Sequence, residues 1–470
     1  MTISDLHVIV VGAGFAGLTA AIECRLRGMK ATLLESYPTS RNYGDILDFS
    51  PNGGLHFERW DGGQVARELM EVCLNDTDQF EYFKYDGTKV LEEPFLLKKE
   101  HYYRLLGGHR GEMHEIVCNY AARIGVKMRF GEKVVQYIDN EEEVGVLTEA
   151  GKKYVGDVVV ASDGPKSLGR TQILGLPETK VNSGYAIYRA HCKITEDHRK
   201  HPLIGPLCRE SPNFTGMWVG KDLHMIIYTW KGGKDMAWVL THKDEADISE
   251  SWSFPGRIND ALAYLEEGKF ADVCKEVVRH TPEDKIIDYK LVWREAITTW
   301  LGKSKRSLVI GDAAHCHLPT SAQGGCQAVE DGVVLAICLE KANGDVPLAL
   351  QVFERIRFNR SHILHQSSIT ARDDMHMIDW ESDFILEHPE ILNIPRMAWV
   401  IDFDAKDDAE RHFDQLAADV KGGKKGTIEE LSLPATGTFG LDARRYFDND
   451  APSPGNVAAN TEAVAASASA

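Results

Sequence analysis

Residues 8–35 constrain the fold more than any other stretch of the chain. Val8-Ile9-Val10-Val11 is an apolar run of strand length, and Gly12-Ala13-Gly14-Phe15-Ala16-Gly17 follows at once. Residues 18–27 have helical spacing, Gly28 stops them, and Ala31-Thr32-Leu33-Leu34 is a second apolar run closed by Glu35. Strand, glycine turn, helix, strand and acid, in that order, make a dinucleotide-binding βαβ unit. Each glycine is there for a physical reason. Gly12 permits the tight turn, Gly14 lets the backbone approach a pyrophosphate, and Gly17 lets the helix lie close to the strand. The helix start offers unsatisfied N–H groups and partial positive charge to the phosphates. Glu35, about twenty residues beyond Gly17, can accept hydrogen bonds from ribose hydroxyls. The unit specifies an adenine dinucleotide but not which one.

Composition narrows the partners. A formal net charge of −18 over 470 residues argues against nucleic acid and anionic membrane surfaces, which require clustered Lys and Arg. The nine cysteines have no CxxC spacing, so reduced thiols and a cytoplasmic location are expected. The βαβ unit begins by residue 8, which leaves no room for a signal peptide, and no apolar run reaches the ~18 residues of a membrane span.

Further along, residues 36–62 read as a loop rich in turn chemistry, including Gly44-Asp45 and Ser50-Pro51-Asn52-Gly53-Gly54. Residues 65–74 and 112–124 have helical spacing, and 80–98 read as a small antiparallel piece around Asp86-Gly87. Residues 126–130, 133–138, 144–148 and 158–161 read as strands. After Gly184 the texture changes to an antiparallel meander of strands at 185–194, 214–219, 223–230 and 237–241. A buried strand at 308–310 and helices at 328–340 and 348–365 return to the first texture. Nucleotide-type segments therefore flank the meander. The expected architecture is an α/β, Rossmann-like FAD-binding domain of glutathione-reductase type, with an inserted antiparallel β-sheet substrate domain and a C-terminal helical region. The first would comprise residues 1–75, 100–183 and 287–370, the second 76–99 and 184–286, and the third 371–447, before a low-complexity tail at 448–470 expected to be disordered.

Two later segments carry chemistry. One is Ala161-Ser162-Asp163-Gly164-Pro165, closing the 158–161 strand. The other is Gly311-Asp312-Ala313-Ala314-His315, running through Pro319 to Gly324-Gly325 and a helix. Together with GxGxxG they resemble, in order and spacing, the three fingerprints of the single-component (group A) FAD-dependent aromatic hydroxylases, the para-hydroxybenzoate and salicylate hydroxylase type. Within that family the 44–52 loop, the Tyr188-Arg189 strand and the C-terminal region are similar to fungal monooxygenases that epoxidise the indole 2,3-bond of alkaloids.

The resemblance implies FAD, bound without a covalent link, with NAD(P)H as transient reductant and O2 and a small aromatic or indole molecule as substrates. Asp312 would accept from the ribityl hydroxyls. Gly324-Gly325 would open a helix toward the flavin pyrimidine edge, where free N–H groups stabilise charge on reduction. Arg110 would pair with pyrophosphate or ribityl oxygens, and Asp163 would shape the pyrophosphate region. Arg189, Tyr228 and Asp48 are the candidate catalytic residues, placed by the resemblance near the reacting ring. The implied reaction is hydroxylation or epoxidation through a flavin C4a-hydroperoxide, with rearrangement to a spiro-oxindole as one outcome. His315 and His317 have no further ligand at metal spacing, and no metal is expected. With one GxGxxG only, NAD(P)H has no Rossmann site of its own. Two other readings stay open: a reductase of isoprenoid double bonds on the same scaffold, and a phenol- or salicylate-type hydroxylase.

Overall fold

The strands His7–Val11 and Val158–Ala161 are buried on both sides, as strands inside a parallel sheet must be. The computed structural model describes residues 2–40, 46–73, 77, 79–94, 106–177, 180–244, 254–294, 297–376, 378–382, 385, 387–392 and 398–424. The tail at 448–470 and the Gly44-Asp45 turn lie outside the described residues. In the five-stranded parallel sheet the order is Ser307–Val309, Val158–Ala161, His7–Val11, Lys30–Glu35, Lys127–Phe130. His7–Val11 is the first strand of the chain and lies in the middle, so connections leave it toward both edges, which is where open α/β sheets bind ligands. A three-stranded antiparallel sheet, Lys153–Gly156, Val144–Thr148 and Val134–Asp139, packs beside it. Its Lys153–Gly156 strand was not read from sequence.

The helices Phe15–Leu26 and Gly324–Lys341 pack closely on one another. Their crossing is tight at Gly332, where a Cβ would lie 2.5 Å from the Ala20 nitrogen. The last long helices are Val346–His376 and Ala405–Lys421, both packed on Gly324–Lys341.

The second sheet has eight strands, in the order 254–255, 287–294, 180–193, 235–243, 223–230, 215–220, 79–84, 89–94. One pair, 215–220 with 79–84, is parallel, so the sheet is not a simple meander. Its strands run past the expected 184–286 segment at both ends. The physical reason is Gly184: it reads as a boundary in sequence, but with φ of 80° it sits at a bulge between Asn182 and Ala186 inside one strand, Lys180–Lys193. That strand then pairs with Ile287–Arg294, which the sequence reading gave to the first domain. The 36–62 loop is a second correction. It contains the strand Ile46–Phe49 and the helix Pro51–Glu58, started by a proline at its first turn. Asn52, Gly53 and Gly54 look like turn residues, but they are buried inside that helix. Small side chains are needed there because a Cβ on Gly53 would stand 3.0 Å from Cys326 Sγ.

One face of the eight-stranded sheet carries Tyr188, Trp218, Ile227, Trp238 and Leu240 into a core with the helices Ile258–Glu267 and Asp272–Arg279. The other face carries Ile187, Tyr289 and Leu291, which pack against Leu318 of the segment after Gly311-Asp312. No helix among the described residues is long and apolar enough to cross a membrane.

Candidate active site

Four sequence motifs end at the carboxyl edge of the parallel sheet: Gly12 after His7–Val11, Glu35 at the end of Lys30–Glu35, Ser162-Asp163 after Val158–Ala161, and Gly311-Asp312 after Ser307–Val309. The glycines divide into two kinds. Gly12 has φ of 98°, and a Cβ there would lie 2.3 Å from the Ser162 carbonyl oxygen; a Cβ on Gly17 would lie 2.1 Å from the Gly12 carbonyl oxygen. These two allow close backbone packing. Ser162 Oγ reinforces the packing by donating to the Val11 carbonyl at 2.7 Å. A Cβ on Gly14, at the start of the first helix, would meet nothing within 4 Å, and the same holds for Gly324 at the start of Gly324–Lys341. These two border open space beside helix N–H groups, where phosphates or a reduced ring edge would be favoured.

Glu35 does more than its sequence position implies. Its Oε2 accepts from the Ala13 N–H at 2.9 Å and its Oε1 from Ser36 Oγ and the Tyr37 N–H, each at 2.9 Å, so it also fixes the glycine loop. His114, which sequence reading missed, holds that loop from the other side through a hydrogen bond to the Ala13 carbonyl, and burial depresses its pKa.

Asp163 and Asp312 have spare acceptors. Asp163 Oδ2 accepts from the Tyr137 hydroxyl at 2.8 Å and the Gly169 N–H at 3.2 Å, while Oδ1 is buried without a donor. Burial pushes its carboxyl up. No hydrogen bond from the described residues reaches the Asp312 carboxylate. Burial raises it too, opposed by the charges of His315, Arg110 and Arg294. Arg110 begins the helix Arg110–Arg123, and the structure brings its charge to bear on Asp312. Arg294, on the substrate sheet, does the same and was not singled out from sequence. Half-buried carboxylates with unused oxygens suit a polyol chain that donates several hydroxyl hydrogen bonds. With Gly14 and Gly324 open, this donor and acceptor set fits FAD.

The substrate sheet contributes Arg189 and Tyr228. Arg189 is buried, and its guanidinium lies 5.5 Å from the Tyr289 ring centre. Strand alternation puts it on the face of Ile187, which packs against Leu318. Tyr228 pairs with Ala237, which pairs with His191, so it shares that face two strands away. The His191 ring lies 4.7 Å from His109, the cap of the Arg110 helix, and Lys231 pairs with Glu112 one turn on. The face bearing Arg189 and Tyr228 is thus docked on the helix that starts with Arg110. Asp48 is oriented differently. A Cβ on Gly325 would touch Phe49 at 3.1 Å and Leu47 at 3.4 Å, so those side chains point to that helix start and Asp48 projects from the opposite side of its strand. There its charge acts on the buried Cys73 thiol, which burial raises.

His315 is held by Asp331, at 2.6 Å from Nε2. Among the described residues one group, His201, Glu276 and His280, has ligand atoms within 4.8 Å of one another. His201 Nδ1 accepts from the Leu203 and Ile204 N–H groups, which puts its proton on the Nε2 that faces Glu276. All nine cysteines are unpaired and buried. A cavity of about 280 Å³ between the last helices is lined by Ile363, Trp399 and Phe403 among others, and none of the four motif ends reaches it.

A parallel sheet with its motif-bearing turns at one edge is thus joined to a second sheet that packs on Leu318. Residues 99–345 match the FAD binding domain family, and residues 7–46 match a second family of FAD binding domains. The chain is 31% identical over 441 residues (93% of this chain, 96% of the relative) to the FAD-dependent monooxygenase okaB of Penicillium ochrochloron. It is 32% identical over 440 residues (93% and 95%) to Notoamide E oxidase notB' of Aspergillus versicolor. Among solved structures, CtdE in complex with FAD and a substrate has a TM-score of 0.82 at 30% identity, covering 89% of this chain and 100% of that one. Salicylate hydroxylase, with a TM-score of 0.69 at 21% identity over 88% and 98%, shares the fold. The chain belongs to the FAD-dependent monooxygenase family represented by these fungal secondary-metabolite enzymes.

Proposed function

We propose that this FAD-dependent monooxygenase uses NAD(P)H and O2 to place one oxygen atom on the electron-rich ring of an indole-containing alkaloid, by hydroxylation or by epoxidation with rearrangement. The single observation that carries the proposal is the sheet face with Arg189 and Tyr228, which packs through Ile187, Tyr289 and Leu291 on Leu318 of the flavin-side segment. Relatives named for notoamide E and asperlicin C favour an indole-type substrate. Bound FAD supplies reductive activation of O2 and delivery of one oxygen atom, the other leaving as water.

This chain's residues do the rest. Gly14 and Glu35 hold the adenosine and pyrophosphate half on a turn that Gly12 and Gly17 permit, with Asp163 closing that end. Asp312 and Arg110 hold the ribityl chain, and the N–H groups at Gly324-Gly325 stabilise negative charge at the ring. Arg189, whose aliphatic stem and Tyr289 keep water from one side, donates hydrogen bonds to an oxygen atom newly attached to the substrate. Tyr228 positions the substrate ring, and Asp48 acts from behind its strand on that wall. The decisive experiment is turnover under 18O2 with indole alkaloid candidates. Label in the product from O2, with one O2 consumed per NAD(P)H, is expected. Label from water, or reductant consumed without O2, would overturn the reading.

A further inference from the structure

Glu330 and Asp331 are adjacent, fully buried carboxylates on the helix Gly324–Lys341. Neither belongs to a nucleotide-binding motif. Asp331 Oδ2 accepts from the Gly311 N–H at 2.9 Å as well as from His315, and Oδ1 accepts from Arg357 Nε at 2.8 Å. It thereby fixes the turn that ends in Asp312, where Gly311 has φ of 60°. Glu330 reaches the other way. Its Oε1 accepts from Asn52 Nδ2 at 2.7 Å, and the same Asn52 nitrogen donates to Gln323 Oε1 at 2.9 Å, immediately before Gly324-Gly325. Arg357 bridges the two carboxylates, and Arg360 adds two hydrogen bonds to Glu330 at 2.9 Å.

We propose that Glu330 and Asp331 are positioning residues for the flavin, each fixing a different wall of its site. Asp331 sets the Asp312 turn. Glu330, through Asn52, sets the Gln323-Gly324 helix start against the helix Pro51–Glu58. Stability alone does not require this arrangement: a buried ion-pair cluster is often no more stable than apolar packing of the same volume. What the cluster does supply is registry, since the Gly311-Asp312 turn and the Gln323-Gly324 helix start are tied through one rigid helix to each other and to the distant Asn52 by hydrogen bonds with fixed direction. The proposal rests on the assignment of Asp312 and Gly324-Gly325 to FAD.

Two variants that keep the arginine pairing of Glu330 separate the walls. Asp331→Asn is expected to weaken FAD binding by roughly tenfold or more, read by flavin fluorescence, because the Asp312 turn loses its anchor. Asn52→Ala is expected to change FAD affinity by less than about threefold but to alter the visible circular dichroism of bound flavin, since it loosens the ring-side wall. A purely structural role would lower thermal stability in both without that division, and would overturn the proposal. Asp312→Ala serves as the reference. If it leaves FAD affinity intact, the site assignment fails. If it weakens binding while Asp331→Asn does not, the positioning role alone fails. Should Asp331→Asn not fold, His315→Gln, which removes one ligand of the same carboxylate, gives the same test.

Discussion

Asp312 and Glu330 are both carboxylates of the nucleotide-binding domain, Glu330 fully buried and Asp312 half-buried, and the protein treats them in opposite ways. Burial would raise either one. At Glu330 the guanidiniums of Arg360 and Arg357 reverse the effect and hold the carboxyl at about 2. At Asp312 the nearby charges of His315, Arg110 and Arg294 only reduce it, and the carboxyl stays above its ordinary range. Glu330 accepts hydrogen bonds from Asn52, Gln327, Arg357 and Arg360, whereas no hydrogen bond from the described residues reaches Asp312. A carboxylate fully paired by its own protein holds structure. One left with open acceptors at a strand end is available to a ligand.

The largest expected effect breaks the paired member. Glu330→Gln leaves Arg360 without its carboxylate and Arg357 with Asp331 alone, and should cost about 3–5 kcal/mol in urea unfolding of the apoprotein. The parallel change Asp312→Ala should leave apoprotein stability level or slightly raised, and equal losses would erase the distinction. Next in size is a pH test on a third carboxylate. Asp288 is raised to about 6 by burial, so between pH ~4 and ~6 the folded chain keeps a proton the unfolded chain has released. Its contribution to stability therefore falls as pH rises through that window, the reverse of Glu330, whose contribution is lost as pH drops from ~4.5 toward 2. Asp288→Asn should match the parent protein at pH 4 and exceed it at pH 8 by up to about 2–3 kcal/mol in thermal or urea unfolding. A deficit at pH 8 would show that the Asp288 carboxylate is well paired.

Smaller still is the effect of Asp312→Ala on the ligand, a loss of FAD affinity of roughly tenfold, about 1.4 kcal/mol, by fluorescence titration. Last is Gly14→Ala. Its Cβ meets no protein atom within 4 Å, so apoprotein stability should change by less than about 1 kcal/mol while FAD binding weakens. Unchanged FAD affinity would show that the open space at Gly14 is not where the pyrophosphate lies.

How much of this was legible in advance follows from the range of the signals. The βαβ unit was readable because its glycines, helix and strands are contiguous and each has a steric reason that the structure bears out in Gly12 and Gly17. The strand-end placement of Asp163 and Asp312 was readable because each follows an apolar strand. The helix Pro51–Glu58 was missed because Asn52, Gly53 and Gly54 are turn formers in isolation. In the fold they are helical, Gly53 packing closely on Cys326 and Asn52 bonding to Gln323 and Glu330. Gly184 was misread for the mirror reason: a glycine inside a long strand looks like its end until the partner strands show a bulge. Residues such as His114 and Asn52 carried no local signal, since each acts through a partner remote in the chain, and Arg294 carried none because it meets Asp312 from the other sheet.

The sequence by itself determined the parallel sheet, the order of its nucleotide-binding turns and the FAD-dependent class, because those depend on local steric rules and strand-end chemistry. Only the tertiary structure decided which carboxylates are paired and which are spare, that Asp48 projects away from Gly325, and that Glu330 and Asp331 tie both walls together. Those are contacts between separate segments, from about twenty to nearly three hundred residues apart, and burial and pairing, not spacing, set their energies.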